Sequence, residues 1–231
     1  MVYFLRHIAL RLWFTGLIGG LFSLWILPSF QSQIGLEWAL LPVAGVLALV
    51  FMGIDRSANR LGLNAIERLL REAGAWERDG MYSAAEKAFR QAVGVCDSFL
   101  ISPPVRRKTA ARVGARLARF YLAHTDRNPA SEAFLRAYLQ SYPEDEEVAE
   151  NWLVQVENAP GLKEEHQGLV YRIGGLHPRN QNIQGVLARF YLLLERTDFP
   201  ALQTYRRVLN GSGAASGELV KELALLLVRN R

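Results

Sequence analysis

Two long apolar runs open the chain. Residues 8–27 are interrupted only by Arg11, and residues 38–54 carry no charge. A helix rises about 1.5 Å per residue and a bilayer core is about 30 Å thick, so the first run spans it and the second just reaches. Ile34 to Glu37 can carry the second run into the headgroups. A cleavable signal peptide is the competing explanation for the first run. Its apolar stretch is longer than the usual 7–15 residues or so, no A-x-A-like site follows, and a second run comes at once. The pattern therefore predicts a two-helix transmembrane hairpin over residues 1–54. Its connection, from Pro28 to Glu37, has no Lys or Arg, whereas Arg6 and Arg11 precede the hairpin and Arg56, Arg60, Arg68 and Arg71 follow it. That bias places both ends in the cytoplasm, with Trp25 and Trp38 at the outer interface and Trp13 nearer the inner one. Gly16 and Gly20, and Ala44 and Ala48, are spaced so that two backbones can approach in lipid, within the hairpin or against a partner's span.

Beyond residue 54 the pattern is helix after helix, with no sustained period-2 alternation. Breaks fall at Asp79-Gly80, Ser102-Pro103-Pro104, Asn128-Pro129, Tyr142-Pro143, Ala159-Pro160-Gly161, His177-Pro178, Phe199-Pro200 and Asn210-Gly211. Residues 55–71 read as a helical connector with Ile54, Ala58, Leu61, Ala65 and Leu69 on one stripe and Gly62 as a place for a bend. The last helix, residues 218–230, is apolar around most of its circumference. This suits burial by a partner or a second copy, continuation of the array, or folding back across the groove, better than a solvent cap.

The chain also resembles itself. Leu117-Ala-Arg-Phe-Tyr-Leu122 recurs at Leu187–Leu192, an offset of 70. After it, Pro129-Ala130, Phe134 and Arg136 match Pro200-Ala201, Tyr205 and Arg207 at an offset of 71, which implies one inserted residue. An offset of 70 is two units of 35. Small residues let antiparallel helices cross closely, and aromatics fill the wedge between pairs. Ala73, Trp76, Gly80, Tyr82, Ala85, Phe89 and Ala92 show this spacing, as do Leu117-Ala118, Tyr121, Ala130, Phe134 and Ala137. On these residues the chain resembles the tetratricopeptide repeat family over roughly residues 66–210. The unit at 181–209 matches fairly. The unit at 145–178 matches poorly, with Trp152, His166 and Ile173 in place of expected residues. About 11 extra residues lie around Phe99 to Arg107. The resemblance implies an all-α fold in which the hairpin precedes a right-handed α-solenoid over residues 66–231, about four helix pairs plus a C-terminal helix.

Composition changes this picture only in parts. Half of the residues are hydrophobic and 21% are charged, which suits neither a wholly embedded nor a disordered protein. The one cysteine, Cys96, excludes an internal disulfide and reads as a core residue. The net charge of +5 divides into +1 over residues 1–54, +6 over 55–119 and −2 over 120–231. The basic part adjoins the apolar hairpin. Arg106, Arg107, Lys108 and Arg116 form a candidate lipid-facing surface, since basic residues near a membrane attract anionic headgroups. No nucleic-acid-binding fold surrounds these charges. His7, His124, His166 and His177 have no metal-ligand spacing and read as surface or loop residues. No Walker A motif, catalytic constellation or cofactor motif is present, and the expected class is not an enzyme. Residues 211–217 read as a flexible loop. Glu144-Asp-Glu-Glu147 suits the positive end of a helix dipole.

Repeat proteins of the resembled kind bind peptides along their first helices. Counting from Ala118 and Ala188 puts Arg112, Arg119 and Arg189 on that surface, with Asn151 and Gln155 in the intervening unit. The expected function is a scaffold in a bacterial inner membrane that binds protein partners, such as an acidic peptide segment, in the cytoplasm. The alternatives are an assembly chaperone of the cytochrome c maturation kind with external repeats, or the N-terminal part of a larger membrane enzyme.

Overall fold

A computed structural model describes residues 2–34, 36–124, 129–158, 164–211 and 217–229. It is all-α. Among the described residues ten α-helices pack largely in sequence order: α1 (Val2–Ile34), α2 (Leu36–Arg78), α3 (Tyr82–Cys96), α4 (Pro103–His124), α5 (Pro129–Ser141), α6 (Glu146–Asn158), α7 (Gln167–Leu176), α8 (Gln181–Leu193), α9 (Phe199–Asn210) and α10 (Gly217–Arg229). Local chemistry sets their ends. Gly80 takes φ +74° just past α2, a conformation with no steric cost only for glycine. The side chains of Asp145, Asn180 and Asp198 accept hydrogen bonds from Val148, Ile183 and Ala201 at the starts of α6, α8 and α9, satisfying backbone donors that have no partner inside the helix.

The helices form two compact units, Met1–Leu117 and Ala118–Arg231. In the first, α1 runs unbroken through Pro28 to Ile34, so most of the expected external turn is helical. The second apolar run is not a separate helix ending near residue 54. It is the first half of α2, 43 residues long, which also absorbs the expected connector. Among the described residues one helix has the length and hydropathy of a membrane span, over Ile8–Trp25. A single anchor and a signal sequence both satisfy that description, and a two-span hairpin is not shown.

The α1–α2 contact follows a different face from the expected one. Gly16 and Gly20 have no atom of α2 where a Cβ would stand, and Ala44 and Ala48 are exposed. Gly19 is the residue against Leu47, where a Cβ would lie 2.3 Å from Cδ2. Over residues 8–25 of α1, Arg11, Thr15 and Gly19 are the buried positions, four residues apart. Within the chain the face that packs is therefore one residue round from Gly16 and Gly20, which leaves the other expectation, a partner's span, untouched.

On α2, Leu61 of the expected stripe is exposed, and Gly62, Ile66 and Ala73 are buried. Gly62 serves as a notch within a continuous helix: a Cβ there would lie 2.6 Å from Ile101 Cδ1. Ile66, Ala92, Cys96, Ile101 and Val113 make the core of this unit. Of the tetratricopeptide-like positions in this unit, Ala73, Ala85, Phe89 and Ala92 are buried, Trp76 is half-buried, and Gly80 and Tyr82 are exposed.

From α4 to α9 burial repeats every 35 residues. Val113, Val148 and Ile183 are buried, as are Leu117, Trp152 and Leu187; Ala118, Leu153 and Ala188; and Tyr121, Val156 and Tyr191. The second helix of each pair repeats likewise: Ser131, His166 and Ala201; Leu135, Val170 and Tyr205; Tyr138, Ile173 and Val208. Two expectations change here. The α5 positions Ala130 and Ala137 are exposed and Phe134 is half-buried, because α5 packs one residue further along. The 70-residue offset therefore holds throughout, and the inserted residue inferred from the Pro-Ala matches does not exist. Second, His166 is not a surface residue. It is buried beside Trp152, with Arg136 Nη2 3.0 Å from its Nε2.

In the second unit α6 also packs on α8 and α5 on α7, so these two helices touch their counterparts two positions along. On α10, Leu223 is buried while Leu225 and Val228 are exposed. The expected flexible loop lies largely in residues 212–216, outside the described residues.

Candidate functional site

The first unit carries an open cleft of about 580 Å³. Glu67, Leu70, Arg71, Gly74, Glu77 and Arg78 line it from α2, Phe89 from α3, and Arg112 and Arg116 from α4. Helical geometry explains the convergence. Glu67, Arg71, Gly74 and Arg78 are three or four residues apart and share one face of α2, and Arg112 and Arg116 share one face of α4. Phe89, buried among the small residues of α3, supplies an apolar floor.

Four guanidinium groups meet two carboxylates in this cleft, so its lining is net positive. Arg112 forms an ion pair with Glu67. Arg71 Nε donates to Glu67 O at 3.4 Å and Arg78 Nε to Gly74 O at 3.2 Å, both backbone carbonyls of their own helix. Arg116 is exposed. A backbone carbonyl does not neutralise a guanidinium, and Glu77 offsets one charge of the lining, so Arg71, Arg78 and Arg116 together leave a positive excess for a ligand carboxylate, which arginine can hold through two parallel hydrogen bonds.

Two residues expected at different sites thus come together: Arg112, placed in a peptide groove, and Arg116, placed on a lipid-facing surface. Arg71 and Arg78 were not singled out by the sequence. Their signal was the polar stripe 67–71–74–78 on the face of α2 opposite its apolar residues.

The other groove candidates lie in the second unit, in a polar seam between neighbouring helices. Arg119 Nε stands 2.7 Å from Glu147 and its Nη2 3.8 Å from Asp145. Asn151 donates to Glu147 O at 2.9 Å, within its own helix, and Gln155 donates to Leu122 O at 2.8 Å. Arg189 pairs with Glu157. Asn180 joins this seam, donating to Glu146 and Glu150 at 2.7 Å each. Its arginines are largely balanced by α6 carboxylates. Two of those acidic residues, Glu146 and Glu147, stand in the first turn of α6, and Asp145 caps it.

Asp145 also accepts a hydrogen bond from the Tyr138 hydroxyl at 2.7 Å. Burial and this bond hold the Tyr138 phenol well above its ordinary range. Burial, then the nearby Asp198 charge, pushes Tyr205 up to about 12. Cys96 is enclosed in the first core, and burial, then the neighbouring Asp97, raises its thiol to about 11. None of these groups is poised for proton transfer near neutrality.

The candidate lipid-facing residues follow the α3–α4 loop. Arg106 pairs with Asp97, its Nε at 3.0 Å, whereas Arg107 and Lys108 are exposed. Among the described residues there is no group of three or more His, Cys, Asp or Glu able to hold a metal ion. No family model, curated protein or solved structure matches this chain.

Proposed function

We propose that the chain is a membrane-anchored adaptor whose helix pairs form a tetratricopeptide-like right-handed solenoid and hold an acidic segment of a partner protein. The observation that carries this reading is the arginine-lined cleft between α2 and α4. Its charge exceeds what its own carboxylates balance, and its apolar floor suits a side chain beside the ligand's carboxylates. The 35-residue burial period over α4–α9 supports the solenoid, since stacked helix pairs share one repeating core. Anchoring rests on α1, whose Leu12, Trp13, Phe14, Leu17 and Leu21 are exposed over the apolar segment. The second crossing rests on the hydropathy of residues 38–54, and the bacterial inner-membrane, cytoplasmic placement rests on the distribution of arginine.

The test is co-purification of the full chain in mild detergent. A partner retained by the wild type and lost from Arg71→Glu with Arg116→Glu supports the cleft, as does its release by a few hundred millimolar salt. Undiminished retention by that variant overturns it. Orientation is tested in intact cells with an impermeant thiol reagent. Labelling of Ser32→Cys and protection of Ser141→Cys, which is exposed on α5, is the expected result; the reverse overturns the cytoplasmic reading.

A further inference from the structure

The residues that interrupt the first repeat, between α3 and α4, are held by a polar knot at one end of the apolar segment of α1. Arg11 lies one turn inside that segment, Ile8–Trp25, and is 2% exposed. Its guanidinium pairs with Asp55 on α2 and donates through Nη2 to the carbonyls of Leu100 at 3.1 Å and Phe99 at 3.4 Å. Asn59 donates to Asp55 at 2.9 Å and accepts from the Ser102 N–H at 2.7 Å. Ile101 fills the Gly62 notch. Six groups thus fix a loop that a plain helical hairpin would not contain. What the knot leaves outward is Phe99, 47% exposed, followed on α4 by exposed Arg107 and Lys108, with Arg56 and Arg60 exposed on α2. Asp97 is the acidic residue of the loop, and Arg106 is paired with it.

We infer that this loop is a membrane-interface element: Phe99 inserts among the lipids while Arg107, Lys108, Arg56 and Arg60 bind anionic headgroups. The inference rests on the reading of α1 as a span. If α1 crosses the bilayer, Arg11 sits about 4–5 Å inside the end of its apolar segment, at 1.5 Å per residue. A loop bonded to its guanidinium must then lie at the boundary of the hydrocarbon. There an aromatic ring gains by leaving water, and each nearby basic residue is attracted to an anionic surface. The knot would hold the first repeat at a defined height on the membrane, which a flexible tether would not do.

The test uses the full chain with Cys96→Ala, reconstituted in phosphatidylglycerol or in phosphatidylcholine bilayers. Nitroxide spin labels are attached singly at Phe99→Cys, at Leu21→Cys in α1, and at Gln91→Cys on the exposed face of α3. Accessibility to oxygen against a water-soluble nickel chelate reports depth. In phosphatidylglycerol the label at 99 is expected to favour oxygen several-fold over the label at 91, to a lesser degree than the label at 21. Arg107→Glu with Lys108→Glu, or replacement by phosphatidylcholine, should shift label 99 toward water and leave label 21 unchanged. A label at 99 as water-exposed as that at 91, with label 21 in lipid, overturns the loop proposal and leaves the anchor standing. A water-exposed label at 21 overturns the anchor and the loop proposal with it.

Discussion

The polar knot of the first unit and the repeating core of the second are held together by different means. In α6 and α8 the buried positions recur at 35 residues and tolerate different side chains: Trp152 where Leu187 stands, Leu153 where Ala188 stands. Burial is the requirement, and apolar packing is non-directional. The knot around Arg11 has no such latitude. Asp55, Asn59 and the carbonyls of residues 99 and 100 each meet a donor or acceptor of fixed direction, and a buried charge that loses its partner is costly. Periodic packing absorbs sequence drift; a polar knot records a specific geometry.

Four experiments sharpen that contrast. The largest loss is expected from Trp152→Ala, about 3–5 kcal/mol for a fully buried aromatic, whereas Trp152→Leu, which adopts the residue of the neighbouring repeats, should recover most of it in a thermal or denaturant scan. Equal losses for the two would show that the hydrogen bond from the Trp152 indole N–H to Glu132, at 3.3 Å, outweighs burial there. Alkaline titration should separate the units. The Cys96 thiol is raised from 9.0 to about 11, so its contribution is complete below pH 9 and lost as pH rises to 11, about 3 kcal/mol at 1.4 kcal/mol per unit. Tyr205 does the same for the second unit from pH 10 to about 12. Cys96→Ala should abolish the earlier slope and leave the later one, read from stability against pH. Asp55→Leu alone should cost about 2 kcal/mol, reduced from the fully buried value because Asp55 is a third exposed. Adding Arg11→Met should restore most of it, a coupling visible in a double-mutant cycle. The smallest effect is expected from Arg119→Ala, below about 1 kcal/mol, since its short ion pair, to Glu147, is exposed and its approach to the less exposed Asp145 is long at 3.8 Å; a larger loss would show that these polar contacts of the second unit carry stability.

How much of this was legible depended on whether the signal was local. The breaks at Asp79-Gly80, Ser102-Pro103, Tyr142-Pro143, His177-Pro178 and Asn210-Gly211 followed from Pro and Gly, those expected at residues 128 and 159–161 lie outside the described residues, and the 35-residue unit followed from the two copies of Leu-Ala-Arg-Phe-Tyr-Leu. The register of α5 did not. Matching Pro129-Ala130 to Pro200-Ala201 aligned letters, but α5 begins at Pro129 and α9 one residue before Pro200, at Phe199, so like letters occupy different faces. Gly19 is less conspicuous for a related reason: its neighbours four residues away are Thr15 and Ser23 rather than glycine or alanine, and its use appears only when Leu47 is placed against it. The extra residues near Phe99 were visible as an interruption of the repeat. Their attachment was not, because Arg11 and Leu100 are 89 residues apart and no periodicity links them. In the cleft, Arg112 and Arg116 were legible as a helical face, while Arg71 and Arg78 were overlooked beside a more conspicuous apolar stripe.

The 35-residue burial period also constrains how this chain can change in length. One residue added within α6 would turn everything after it by about 100°, carrying Trp152 or Val156 from the interior to water. Length can therefore vary freely only between helices, or by whole units of 35, each bringing its own complete set of buried positions. A variant with one repeat duplicated in frame is expected to fold, where a variant with a single residue inserted into α6 is not.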